Sequence, residues 1–286
     1  MTLPVSHLVA YFGNEPENMA CALFSARSAL HVRSGGRPDG WGLGFVQGGD
    51  VLLQKRPRAG ATEVDLYALA KDLRADALVG RVGLGEETNI VAEDADPFRF
   101  RSWLFGSVGQ ISSNGFAGIR ERVLESVPDF LRRNIRGKSP SEHIFHLFLA
   151  FMHDAGILDN ASPPLAAVQL ALRNSVVFLD RLLAGTGSEP MRIALVATNG
   201  RCFVGASCGH PLQYLHVEGI SDCPVCHGRS DRGHDGRRSS HDALRGIVVE
   251  ADRATQGRAG WLQVPDRSAL IVSADRIPHV VPLSGD

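Results

Sequence analysis

The chain has 286 residues, 44% hydrophobic and 21% charged, with 30 Lys and Arg against 31 Asp and Glu. That length and apolar content suffice for one large core or two modest ones. The formal charge of −1 offers no global field to nucleic acid or an anionic membrane, and no apolar run approaches the ~20 residues that span a bilayer.

Ser6 to Phe12 reads as a strand, and a short helical pattern follows from Asn18 to Leu30. Trp41–Val46 and Val51–Lys55 flank Gly48-Gly49-Asp50, a hairpin signal. Leu78–Val82 and Trp103–Val108 are apolar enough to be buried strands. The middle third is helical: 118–134 and 141–155 place apolar residues at spacings of three and four, with Ile144, Phe145, Phe148, Leu149 and Met152 on one face. Pro163-Pro164 opens another helix whose stripe runs through Leu165, Val168, Leu172, Val176, Leu179 and Leu183. Strands return at 192–198 and 201–206, joined by Asn199-Gly200, and again at 246–250 and 269–273. Strands, then helices, then strands predict layered α+β rather than βαβ repeats. Met1–Val5 carry neither the basic nor the apolar run of a signal peptide, so a cytoplasmic location is expected.

Four of the five cysteines fall between positions 202 and 226. In a reducing compartment this points to a metal or redox site rather than a disulfide framework. Cys223-Pro-Val-Cys226-His227 has the Cys-x-x-Cys spacing that lets two sulfurs face one ion. If the apolar segment 211–217 and its return form a hairpin, Cys208 comes close to Cys226. The expected structural zinc site is then Cys208, Cys223 and Cys226, with His210 or His227. Bare thiols, with Cys208 as a small buried hydrophobe, and a redox pair are the other readings. The stretch 228–242 is nearly free of apolar residues and mixes Arg with Asp, and His227, His234 and His241 recur at equal intervals. It reads as a solvated loop or as an arm ordered on a protein partner. The acids dilute its charge and no aromatics interleave, which disfavours nucleic acid.

Several motifs, in order, resemble those of class II glutamine amidotransferases, a branch of the N-terminal nucleophile hydrolases, and most closely the small stand-alone type that includes the ergothioneine-pathway amidohydrolase. Arg37-Pro-Asp-Gly-Trp-Gly42 resembles the family's Asn-Pro-Asp-Gly-Trp-Gly. Ser6–Gly13 resembles its opening Cys-Arg-Leu-Leu-Ala-Tyr-Leu-Gly, and Leu78–Gly83 its Ala-His-Val-Arg strand. Asp94–Phe98 resembles its Asn-Thr-His-Pro-Phe, and Trp103–Ile111 its Trp-Leu-Phe-Ala-His-Asn-Gly-Thr-Ile. Ser139–Phe145 resembles its Thr-Asp-Ser-Glu-Ala-Leu-Phe, and Gly260-Trp261 to Val272 its C-terminal strands. The resemblance implies a single α+β domain over 1–286, a four-layer αββα sandwich, with 207–245 as a Cys/His-rich, flexible insertion.

In the family, the resemblance implies, an N-terminal Cys attacks a glutamine amide with its own α-amine as base. An Asn side chain and a Gly N–H hold the oxyanion, and Arg and Asp clamp the amino-acid head group. Here the nucleophile position is Ser6, five residues into the chain. The Arg position is Gly83, the oxyanion Asn position is Val108, the His of His-Pro-Phe is Asp96, and the amine-binding Asp position is Pro140. Gly40, Trp41, Gly42, Pro97, Phe98, Gly109 and Glu142 match. Loss of a single oxyanion donor costs ~10²–10³ in rate. The expectation is a catalytically degenerate domain that binds a protein partner, or a small ligand in a remnant pocket of Ser6, Asp39, Gly40, Trp41, Gly83, Val108, Gly109 and Glu142. Two alternatives stand beside it. One is an amidohydrolase that uses Ser6 as nucleophile once residues 1–5 are removed, with His7 tuning it. The other is a zinc-stabilised interaction module.

Overall fold

A computed structural model describes residues 6–33, 38–56, 63–84, 93–227, 240–251 and 258–283. The strands are β1 (His7–Gly13), β2 (His31–Arg33), β3 (Pro38–Gln47), β4 (Asp50–Arg56), β5 (Glu63–Asp65), β6 (Ala77–Leu84), β7 (Phe98–Phe100), β8 (Trp103–Gln110), β9 (Arg192–Thr198), β10 (Phe203–Cys208), β11 (Leu212–Glu218), β12 (Arg245–Ala251), β13 (Trp261–Val264), β14 (Ser268–Val272) and β15 (Pro278–Pro282). The helices are α1 (Met19–Ser25), α2 (Arg27–Leu30), α3 (Leu66–Ala70), α4 (Ser113–Glu125), α5 (Asp129–Arg132), α6 (Pro140–Asp154), α7 (Leu165–Gly185) and α8 (Pro224–His227).

Among the described residues the strands form two large antiparallel sheets and a small ribbon. The first sheet runs β13-β11-β12-β1-β6-β3-β4, the second β15-β14-β10-β9-β8-β7, and β2 pairs with β5. Side-chain alternation along the strands builds the layers. On β1, Leu8, Ala10 and Phe12 enter the core between the two sheets, where Leu104, Val108, Val196 and Phe203 meet them. Val9 and Tyr11 point the other way, into a core covered by Met19, Leu23, Leu30 and Leu66 of α1, α2 and α3. On β8, Trp103 and Phe105 face the opposite outer layer, packing on Phe145 and Phe148 of α6. The result is helices, sheet, sheet, helices: the αββα sandwich. Its strands are buried on both faces, so most read as continuous apolar runs rather than alternating ones.

Local chemistry explains the elements that the sequence predicts well. Gln47 pairs with Asp50 across Gly48 and Gly49, both at positive φ, as a two-residue primed hairpin turn requires. Helix α6 starts at Ser139, whose side chain accepts from the Ser141 N–H, with Pro140 in the first turn. Helix α7 buries Val168, Leu172, Val176, Leu179 and Leu183, as its periodicity predicts. The β9–β10 hairpin is present, but its loop is longer than Asn199-Gly200. Asn199 Oδ1 accepts from the N–H groups of Arg201 and Cys202, so pairing resumes only at Phe203. The helix expected over 118–134 is two helices, α4 and α5, separated at Ser126–Pro128. No helix among the described residues is long and apolar enough to cross a membrane.

Candidate functional site

At one end of the sandwich, where the two sheets meet, Ser6 stands immediately before β1. Its hydroxyl accepts a hydrogen bond from Arg81 Nη2 at 3.3 Å. The Arg81 Nη1 atom lies 3.5 Å from Asp96 Oδ2, and the Asp96 side chain is only 2% exposed. Asp96 Oδ1 accepts from the Ser107 backbone N–H at 2.9 Å and from the Ser141 hydroxyl at 2.6 Å. Ser107 Oγ lies 2.6 Å from Ser141 Oγ. Because the Ser141 proton is committed to Asp96, the Ser107 hydroxyl donates to Ser141. A buried carboxylate is thereby fully engaged by one cation, one backbone amide and a short hydroxyl chain.

The sequence places this carboxylate by removing side chains opposite it. A Cβ on Gly42 would stand 2.1 Å from the Asp96 carbonyl oxygen and 2.7 Å from Pro97 Cδ, and one on Gly44 would stand 3.0 Å from Pro97 Cγ. Gly42 and Gly44 of the Gly-Trp-Gly-Leu-Gly run therefore form the seat on which the Asp96-Pro97 segment enters the inter-sheet space. Lys55, on β4 beside Gly42, donates to the Ala95 carbonyl at 2.6 Å and covers the Phe98 ring at 4.8 Å. Burial lowers its pKa, while Asp96, Glu142 and Glu93 pull it back up.

The predicted pocket residues do not all converge on this network. Val108 is buried in the core between the sheets. Gly109 adopts φ +116°, and a Cβ there would stand 2.0 Å from the Arg192 carbonyl oxygen. Gly83 and Gly40 are buried and face each other across the β3–β6 register. Trp41 lies on the opposite face of β3 from Gly42, so its ring packs beneath the α1–α3 layer rather than beside Asp96. Glu142 caps a loop: its two carboxylate oxygens accept from the N–H groups of Arg136 and Gly137 at 3.0 and 2.7 Å. The Asp39 side chain lies outside the described residues. Arg81, which holds both Ser6 and Asp96, was not among the predicted site residues. Its signal was its place two residues before Gly83, on the same face of β6.

His7 does not tune Ser6. It points to the other face of β1, where Nε2–H donates to the Ala29 carbonyl at 2.6 Å, with Glu250 Oε1 3.7 Å from the same nitrogen. Glu250, fully buried, also accepts from Gln213 Nε2 at 2.8 Å and Arg258 Nη1 at 3.0 Å.

A second cluster lies at the helix side of the first sheet. The ligand atoms of Cys21, Cys223, Cys226 and His241 all lie within 4.8 Å of one another. Cys21 Sγ is 3.6 Å from Cys226 Sγ, and Cys226 Sγ is 3.4 Å from His241 Nε2. Cys21 comes from α1, Cys223 and Cys226 from the turn that starts α8, and His241 from the approach to β12. Backbone bonds in both directions between Ile220 and His241 zip that approach to the start of the connection. The four groups could hold a metal ion.

Cys223 and Cys226 were expected there; Cys208 is elsewhere. It ends β10 in the other sheet, paired with Ile193, where burial pushes its thiol up to about 12. The expected hairpin exists as β11–β12, but β11 leaves the β10 sheet altogether and pairs with β12 and β13. Cys21 and His241 complete the set instead. The His227 side chain lies outside the described residues. Cys21 was hidden because it lies 205 residues from Cys226; only its being the fifth cysteine marked it.

No protein-family model matches the chain, and no curated protein sequence matches it. Solved structures do. A glutamine aminotransferase class-II domain protein from Silicibacter pomeroyi aligns over 98% of this chain and 100% of its own, with a TM-score of 0.61 at 16% identity. A predicted glutamine amidotransferase from Pseudomonas aeruginosa aligns over 97% and 99%, with a TM-score of 0.55 at 14% identity. The glutamine phosphoribosylpyrophosphate amidotransferase of B. subtilis aligns over 98% of this chain but 50% of its own, with a TM-score of 0.50 at 13% identity. The chain thus has the N-terminal nucleophile hydrolase fold of class II glutamine amidotransferase domains.

Proposed function

We propose that this chain is a glutamine amidotransferase-like domain that has given up glutamine hydrolysis and works by binding, as a scaffolding or regulatory subunit for a protein partner. The observation that carries the reading is the environment of Ser6. Its hydroxyl faces a guanidinium, which donates and cannot take a proton, and that guanidinium is paired with a buried carboxylate. The Ser6 nitrogen is an amide in the chain as it stands, so the family's amine base is missing. His7 is turned away. Val108 brings no donor to the oxyanion position. Charge-assisted donors remain, so a small ligand taken at this end would present a carbonyl or carboxylate oxygen to Arg81. As cofactor, the same reading assigns one structural zinc to the Cys/His cluster. A cytoplasmic setting, where thiols stay reduced, suits that cluster.

The test is glutamate release from glutamine by the purified protein, its Ser6→Cys variant and its Ser6→Ala variant, with intact mass recorded for each. No release from the unaltered protein, with residues 1–5 or 2–5 still present, is the expected result. Turnover that disappears in Ser6→Ala, together with a chain starting at Ser6, would establish the nucleophile reading instead.

A further inference from the structure

We propose that Cys21, Cys223, Cys226 and His241 are the four ligands of one Zn²⁺ ion, and that this ion braces helix α1 against the connection between β11 and β12. The proposal deepens the zinc part of the reading above and rests on it, and on nothing claimed for Ser6.

The spacing fits the ion. Zinc–sulfur bonds of ~2.3 Å and zinc–nitrogen bonds of ~2.0–2.1 Å at tetrahedral angles put two sulfurs ~3.8 Å apart and a sulfur and a nitrogen ~3.5 Å apart. The observed separations are 3.6 Å for Cys21–Cys226 and 3.4 Å for Cys226–His241, and no pair among the four exceeds 4.8 Å. A disulfide would need ~2.05 Å between two sulfurs and would leave a third thiol and an imidazole with nothing to converge on. Apolar burial alone gives Cys21 and the Cys223–Cys226 pair, from two separate parts of the chain, no reason to meet an imidazole, because thiols are weak hydrogen-bonding groups. Three soft sulfurs and one imidazole suit zinc over the hard cations. All four positions come from the protein, which is the closed shell of a structural site, not the open one of a catalytic site.

The local structure presents the ligands. The Cys226 N–H donates to the Cys223 carbonyl, so the Pro224-Val225 turn puts both sulfurs on one side. The ladder between Ile220 and His241 carries the imidazole to the same place. Cys21 arrives on the buried face of α1, beside Ala22. The ion would close a loop of 205 residues between Cys21 and Cys226, and a cross-link over so long a loop removes much unfolded-state freedom. It would also close the shorter span from Cys226 to His241, a separation of 15 positions.

The experiment is metal analysis of the full-length protein purified without chelators or metal-affinity resin, beside Cys21→Ser, His241→Ala and Cys208→Ser. The expected result is one equivalent of zinc in the unaltered protein and in Cys208→Ser. In Cys21→Ser and His241→Ala the zinc affinity should fall at least ~10-fold, since loss of a group that merely supports a ligand already costs that much. Because loss of a ligand can unfold the protein, the unaltered protein is also stripped and reloaded with Co²⁺. Visible bands of a tetrahedral thiolate–cobalt centre and a melting temperature restored by Zn²⁺ are expected. Zinc that survives Cys21→Ser but is lost in Cys208→Ser would overturn this ligand set while leaving a zinc site standing. No zinc, no cobalt spectrum and no change in melting on metal addition would overturn both. Neither result bears on glutamine hydrolysis.

Discussion

Replacing Asp96 by Ala tests the network at the end of the sandwich. The side chain is 2% exposed and takes three partners: the Ser107 N–H, the Ser141 hydroxyl and the Arg81 guanidinium. Its loss leaves the Ser107 N–H buried and unsatisfied, at ~1–3 kcal/mol. The Ser107 and Ser141 hydroxyls can turn to each other and recover part of theirs. Arg81, 22% exposed, loses its carboxylate but keeps some water, so its share is well below that of a fully buried cation. The total expected is ~2–4 kcal/mol, below the range for stranding a fully buried charge. In a protein of this size that lowers the melting temperature by ~4–8 °C, at ~2 °C per kcal/mol. Asp96→Asn keeps an acceptor for Ser107 and Ser141 and loses only the charge, so ~1–2 kcal/mol is expected. Urea denaturation followed by tryptophan fluorescence and circular dichroism gives both values, provided the m-value is unchanged. A double-mutant cycle with Arg81→Ala should show a coupling of ~1–3 kcal/mol. If Asp96→Ala costs less than ~0.5 kcal/mol, the value typical of an exposed site, the network described here does not exist in solution.

Two further perturbations probe the scaffold. Gly42→Ala drives a Cβ to 2.1 Å from the Asp96 carbonyl oxygen, so overpacking of ~1–3 kcal/mol or more is expected, whereas Gly185→Ala, with nothing within 4 Å and helical backbone, should be neutral or slightly stabilising; equal melting temperatures for the two variants would refute the seat assigned to Gly42. His146 is buried in α6, its Nδ1–H donating to the Glu142 carbonyl while Nε2 has no hydrogen-bond partner among the described residues, and burial lowers its pKa. Above about pH 6.5 the ring is neutral in both states and contributes no pH dependence. Below that the unfolded chain takes up the proton first, so stability should fall by up to ~1.4 kcal/mol per pH unit until the folded-state pKa is reached. His146→Leu should flatten that slope below pH 6.5, leaving the part due to His143, which is lowered by burial and by the Arg120 charge. An unchanged slope would contradict the assignment.

What local sequence determines here is what neighbouring residues can enforce. Gly48-Gly49 can adopt only a narrow set of turns between two apolar runs, so β3 and β4 were legible. Ser139-Pro140 and the apolar spacing of 141–183 made α6 and α7 equally so. The edge strands β13 and β15 and the short β2–β5 ribbon were not, because their half-exposed residues carry no distinctive period and their pairing partners are remote in sequence. The resemblance of ordered motifs supplied the layer count that no single segment contains.

The candidate sites divide along the same line. Ser6, Gly83, Val108, Gly109 and Pro140 could be named from position in a motif. Which face a residue occupies could not be read while the sheet had no sides: Trp41 and His7 turn to the helical layer, and Arg81 and Asp96 turn inward to meet. The Cys-x-x-Cys pair is a local signal and was visible, but a tetrahedral donor set needs groups from unconnected elements. Only tertiary packing of α1 against the β11–β12 connection brings Cys21 and His241 to that pair, and only the departure of β11 to the other sheet separates Cys208 from it. Spacing along the chain constrains neighbours within a turn; distances across hundreds of residues are set by how the layers stack.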